Sequence, residues 1–338
     1  TWDEAVITSN GALTLSNGAS AVYTSGSGNA AIVFTYTVAE DDTASADLSV
    51  TGYTGTIADA AGGAAATTGT VDVGTVSVDG DAPDLSSVAA NDATYKIGDT
   101  ISITVTWDEA VVVSGTPTLT LSNGDTASYS SGSGSTALVF TTAVAEGDTD
   151  SADLLVSSYS GTITDAAGGT AAAASGDLGS VTVDGDTPDI ATITATDGAY
   201  GVGDTLSITV TFDQAVDVTG TPTLTLSNGD TASYASGTGN AAIVFSTTIA
   251  ETDTASSDLA VTAINSAGGT IQDAHDNDYS SALSGAGDLG TVTVDGDAPD
   301  FIAVTATDGA YGVGETLSIT AIWDEAVVVS GTPTLTLS

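Results

Sequence analysis

The chain has 338 residues, of which 44 are Asp or Glu and only 1 is Lys or Arg, for a formal net charge of -43. Phosphate recognition needs clustered Lys or Arg, so nucleic acid and anionic membrane surfaces are excluded as partners, and cations, Ca²⁺ above all, are favoured. Apolar residues still make up 41% of the chain, with no Cys, so a core is feasible and stability must come from packing, with bound metal as the further candidate, and not from disulfides.

No run of about 18 uninterrupted apolar residues exists to span a membrane. The chain opens at TWDEAV, late in a pattern that recurs three more times. The marker aromatic falls at Trp2, Trp107, Phe212 and Trp323, with spacings of 105, 105 and 111. The linker proline falls at Pro83, Pro188 and Pro299. Self-similarity at a fixed period signals a repeat architecture. The boundaries are 1–81 (a repeat lacking its first strands), 82–186 (complete), 187–297 (complete, with a six-residue insertion) and 298–338 (partial). Both ends fall at the same interior point of the repeat, which predicts a window from a longer array.

Within 82–186 the elements alternate with period two. In DTISITVTW, Ile101, Ile103, Val105 and Trp107 share one face, and Ser102, Thr104 and Thr106 the other. TPTLTLSNGDTASY predicts two strands joined by Asn123-Gly124, a hairpin dipeptide. In ALVFTTAVA, Leu138, Phe140, Thr142 and Val144 face one way. DLLVSSYSGTI and DLGSVTVDG add two more strands. With the opening strand (IATITATDG in the next unit), about seven short strands per repeat predict an all-β fold: tandem immunoglobulin-like sandwiches in a linear rod. A parallel β-helix is the competing fold, but its coils are far shorter than this period.

DGAYGVGDTLSITVTFDQAV, GTPTLTLSNG and TITDAAGG resemble the Ig-like repeats of giant bacterial surface proteins. These include the swimming-motility-type repeat and the extender repeats of calcium-dependent RTX-type adhesins. The resemblance covers every unit and implies a secreted, cell-surface protein whose repeats hold a binding tip away from the cell.

Strand alternation also places the acids. Linker residues Asp79, Asp81 and Asp84 should meet Asp108, Glu109 and Asp165 at one pole. The next junction gathers Asp184, Asp186 and Asp189 with Asp213 and Asp273, and a third gathers Asp295, Asp297 and Asp300 with Asp324 and Glu325. The loop Glu146-Gly147-Asp148 with Asp150 should face the following linker from the far pole. Carboxylates gathered this way repel unless a cation binds, and Ca²⁺ takes about six to eight oxygens in a flexible shell. The linker Pro stiffens each joint. The other reading is solvated loop acids. Gln214 replaces a glutamate in the third unit, and Asp276 and Asp278 are candidate substitutes there.

Catalysis finds no constellation. His275 occurs once, in the inserted loop, so it reads as a surface residue before a metal ligand. There is no GxSxG elbow and no phosphate loop. Paired acids recur at linkers, unlike a glycosidase pair in one cleft. A Lys–Asn isopeptide bond would need more lysines than Lys96. The sequence therefore predicts a non-enzymatic extender stiffened by Ca²⁺. The alternatives are a fibre or layer in which like chains pack laterally, or a glycan- or cell-binding adhesin module.

Overall fold

The computed structural model describes residues 3–8, 10–66, 69–266, 268–279, 283 and 287–337. Trp2 and part of the inserted loop lie outside them. All assigned elements among the described residues are strands. The chain divides into two compact units, Thr1–Gly185 and Asp186–Ser338, and each is described by itself.

In the first unit, residues 82–185 form a complete sandwich. The long strand Thr100–Leu121 pairs antiparallel with Leu85–Ala89 and Ser135–Ala143 through its first half. Its second half pairs with Thr126–Ser131 and Leu155–Thr164. Between the halves the register shifts, between Thr106 and Val111. Such an irregularity bends a strand and re-aims its side chains, so Trp107-Asp108-Glu109 sits at a corner. The chain then closes in a way that defines the immunoglobulin-like class: Ala93–Lys96 runs parallel to Val181–Asp184, while the preceding Leu85–Ala89 belongs to the other sheet.

The alternation seen in sequence is the alternation of burial. Ile101, Ile103, Val105 and Trp107 are at most 1% exposed, and Leu138, Phe140 and Val144 pack into the same core. Each such side chain contributes roughly 1.5–3 kcal/mol by leaving water. The Asn123-Gly124 turn closes with Leu121 N–H donating to Asp125 O, 2.9 Å. Gly124 has φ 99°, a conformation that glycine adopts without strain. Tyr129 meets Phe140 edge-on at 5.9 Å, and the half-buried Tyr159 donates its hydroxyl to Ala171 O, 2.8 Å.

Residues 1–81 carry only the later part of this plan. Ala12–Leu15 pairs with Ser20–Ser25 and Ser49–Thr54, and Val33–Thr35 adds to Ser20–Ser25. Their core is small: Leu15, Ala21, Leu48 and Val78.

In the second unit, residues 187–297 repeat the complete plan. Thr205–Gly220 replaces the long strand, pairing with Ile190–Ala195 and Asn240–Thr248. Gly198–Tyr200 runs parallel to Val292–Val294. The core is rebuilt at one corner. Phe212 stands where Trp107 stood, and Tyr279, whose N–H donates to Ile271 O, stands where Ala171 stood. The two rings meet edge-on at 5.5 Å, so the added Tyr offsets the smaller aromatic. Beyond 297, Phe301–Ala306 pairs with Ile319–Trp323 and most side chains are exposed.

Candidate metal centre

The linker between 1–81 and 82–186 leaves strand Val78–Gly80 and is pinned on both sides. From the earlier repeat, Glu40 Oε1 accepts from Ala82 N–H at 3.1 Å, and Asp41 N–H donates to Gly80 O at 2.8 Å. From the later repeat, Asp108 Oδ1 accepts from Asp84 N–H, 2.9 Å, and Asp108 N–H donates to Asp84 O, 3.0 Å. Ala172 N–H donates to Pro83 O, 2.8 Å.

These pins bring Asp79, Glu109 and Asp165 together, each with a carboxylate oxygen within 4.8 Å of the others. Asp79 comes from the end of one repeat, Glu109 from the strand corner and Asp165 from the end of Leu155–Thr164. Asp165 is 4% exposed. Its Oδ1 accepts three backbone N–H bonds, from Ala167, Gly168 and Gly169 at 2.6–2.9 Å. Burial and three backbone donors hold this carboxylate in place. Its Oδ2 lies against Gly169, where an added Cβ would force that oxygen to shift.

Glu109 is the strained member. Its Oε1 is buried and has no hydrogen-bond partner. Burial pushes its carboxyl above the usual range, and the neighbouring charges of Asp165, Asp79, Asp81 and Asp108 push it further. An acceptor-only group buried without a donor needs either a proton or a cation. That donor set, three hard carboxylates from separate segments of the chain, fits Ca²⁺.

The other expected ligands divide by role. Asp81 joins the cluster electrostatically, its carboxyl raised by burial and then by Asp108, Glu40, Asp79 and Asp84. Asp84 and Asp108 clasp through the backbone, and the same clasp recurs as Asp189 N–H to Asp213 Oδ1, 2.9 Å, and Asp300 N–H to Asp324 Oδ1, 2.8 Å. Asp184 is buried at the end of Val181–Asp184, whereas Asp186, at the start of the second unit, is exposed. The loop at 146–150 meets the linker as expected: Gly147 N–H donates to Gly185 O and Asp150 Oδ1 accepts from Gly185 N–H, both 2.9 Å.

In the second unit, Asp273 is buried like Asp165 but differently used. Its Oδ1 accepts from His275 and Asn277 N–H, and its Oδ2 accepts from Asn277 Nδ2 at 3.0 Å. A side-chain donor thus sits where the Asp165 loop offers a bare oxygen. At the last junction the charge pattern returns: the Glu325 carboxyl is raised by burial, then by Asp295, Asp297, Asp324 and Glu251. Glu251 Oε1 also accepts from Ala298 N–H at 3.1 Å. Glu40 and Glu251 were not singled out in the sequence; the Ala-Glu pair recurring before each acidic loop was the available signal.

No protein-family model and no curated protein matches the chain. Among solved structures, an I-band fragment from titin is similar at 11% identity, over 56% of this chain and 63% of that fragment, with a TM-score of 0.27. The chain therefore spans less than two thirds of the fragment, and the fold assignment rests on the strand topology.

Proposed function

We propose that the chain is a non-catalytic extracellular spacer of a cell-surface adhesin or filament, in which Ca²⁺ stiffens the joints between repeats. One observation carries this reading: Asp79 from one repeat faces Glu109 and Asp165 from the next, with a buried Glu109 oxygen left unpaired. A cation held there by these three residues would neutralise their repulsion and tie the two repeats through their side chains. The protein's own part is positioning. The Asp84–Asp108 clasp and the Glu40 bond orient the linker, and the backbone donors around Asp165 hold its carboxylate in place. The acidic surface supports solubility in salt-rich surroundings through net charge.

Small-angle scattering from the full chain tests the stiffening. The expected result is a larger and better-defined maximum dimension in millimolar Ca²⁺ than in EDTA. A chain equally flexible in both would contradict it.

A further inference from the structure

We propose that Asp230 and Asp253 form a proton-operated latch in repeat 187–297, closed when the two carboxyls share one proton and open when both are ionised. In residues 1–81 the corresponding place is closed by a hydroxyl. Tyr36 donates to Asp42 Oδ2 at 2.7 Å and accepts from Asn17 Nδ2 at 3.3 Å. The Asn17-Gly18 turn is thereby tied to the loop that follows Val33–Thr35. Asp42 Oδ2 also accepts from Ala39 N–H within that loop, 2.8 Å.

Repeat 187–297 keeps every part of this arrangement except the permanent donor. Asn228-Gly229 is the turn, and Asp253 Oδ2 accepts from Ala250 N–H at 2.8 Å. Thr247 stands where Tyr36 stood, and Asp230 replaces Ala19. The Asn228 amide now donates to Asp230 Oδ2, 2.6 Å, so this carboxyl takes the bond that the tyrosine hydroxyl takes in the earlier repeat. The Asp230 carboxyl also lies within hydrogen-bonding reach of Asp253. A phenol at neutral pH always has a proton to donate, whereas a carboxyl donates only when protonated. Both ionised, the two groups are acceptors only and repel. With one proton they are joined by a charge-assisted O–H···O⁻ bond.

The charged groups packed around the pair all push the same way. Glu251 lies on the Asp253 loop, and Asp258 follows it, close to where Ser227 N–H donates to Ala260 O. Asp204 O accepts from Ile249 N–H. Asp295 and Asp297 flank Gly296, which lies against the Asp253 backbone. No Lys or Arg occurs in 187–297 to hold Asp230 ionised. Burial, and then the Asp253 charge, raise the Asp230 carboxyl above the ordinary aspartate range, against the opposing pull of the Asn228 amide.

The latch acts on a joint. Its loop carries Glu251, whose Oε1 accepts from the linker Ala298 N–H at 3.1 Å. Ser256 bridges to Val294, on the strand that leads into the linker. The Asn228 Nδ2 bond to Thr254 O, 3.3 Å, keeps turn and loop adjacent in either state. Closing the latch fastens the linker's grip in mildly acidic surroundings, whether or not calcium occupies the junctions. Because the folded-state value is raised, this stability is fully present below the unfolded value and lost as pH rises through the folded one.

Carboxyl-carbon NMR of the full chain in EDTA tests the latch, with Asp230→Asn assigning the resonance. The pair is expected to show a titration step above the ordinary aspartate range, felt at Asp230. Asp253→Asn should lower that midpoint, because a neutral amide removes the charge and offers an N–H. A midpoint at or below the ordinary range, or one that Asp253→Asn leaves unmoved, would overturn the proposal. Asp230→Asn also supplies a donor at every pH. Its repeat should melt about 2–4 °C above that of the unaltered chain at neutral pH, an advantage that vanishes at mildly acidic pH. An equal difference at both pH values, or none at neutral pH, would overturn it as well.

Discussion

The two complete repeats, 82–186 and 187–297, share strands and core but use one buried aspartate in two ways. Asp165 spends one oxygen on three backbone donors and turns the other toward Glu109 and Asp79. Asp273 spends both oxygens inside its own loop, the second on the Asn277 amide, and Gln214 replaces the glutamate. The core shows the opposite behaviour, since Phe212 with Tyr279 replaces Trp107 with Ala171 and the layer stays filled. Packing tolerates a swap that conserves volume. A charge cluster does not, because removing one carboxylate or adding one donor changes what it can bind.

The largest expected effect breaks the loop itself. Asp165→Ala removes the acceptor of three backbone N–H groups and should destabilise its repeat by about 3 kcal/mol. Trp107 lies in that repeat's core and Phe212 replaces it in the next, so urea unfolding followed by tryptophan emission is suited to the measurement. An unchanged midpoint would show that the loop donors are satisfied by water instead.

Tyr279→Ala tests the compensation in the other repeat. Calorimetry should show a loss of about 2–3 kcal/mol, from the ring's burial and its edge contact with Phe212. A neutral result would mean that Phe212 fills the corner alone.

Acidity gives the smallest effect and a definite sign. The Glu109 and Glu325 carboxyls are raised, chiefly by burial and then by neighbouring acids, so the native state binds more protons than the unfolded chain as pH falls toward their range. Stability without calcium should therefore rise slightly from neutral pH toward mildly acidic pH. Asp42 opposes this only at lower pH: the Tyr36 hydroxyl and Ala39 N–H depress its carboxyl, a contribution present above the ordinary aspartate range and lost as pH falls through the depressed value. A melting temperature that fell steadily from pH 7 in EDTA would contradict the sign.

The strand faces were legible in the sequence because a half-buried strand writes its orientation with period two, as Ile101 to Trp107 show. The meeting of Asp79, Glu109 and Asp165 was legible too, since alternating strands bring those loops to one pole. The division of labour was not. That Asp108 clasps Asp84 through the backbone, that Glu40 reaches Ala82, and that Asn277 occupies an oxygen of Asp273 depend on loop geometry that residue type does not encode. Tyr279 was hidden for the same reason, because an inserted loop has no period to read.

The most direct measurement is the thermal melt of the full chain in EDTA, in millimolar Mg²⁺ and in millimolar Ca²⁺, with Glu109→Gln alongside. A ligand bound only by the native state at a hundredfold excess over Kd adds about 2.7 kcal/mol. The account predicts a rise in Ca²⁺ well above that in Mg²⁺, largely lost in Glu109→Gln. Equal, small rises in both ions, unchanged by the substitution, would mean that the junction acids are screened by salt and hold no specific metal.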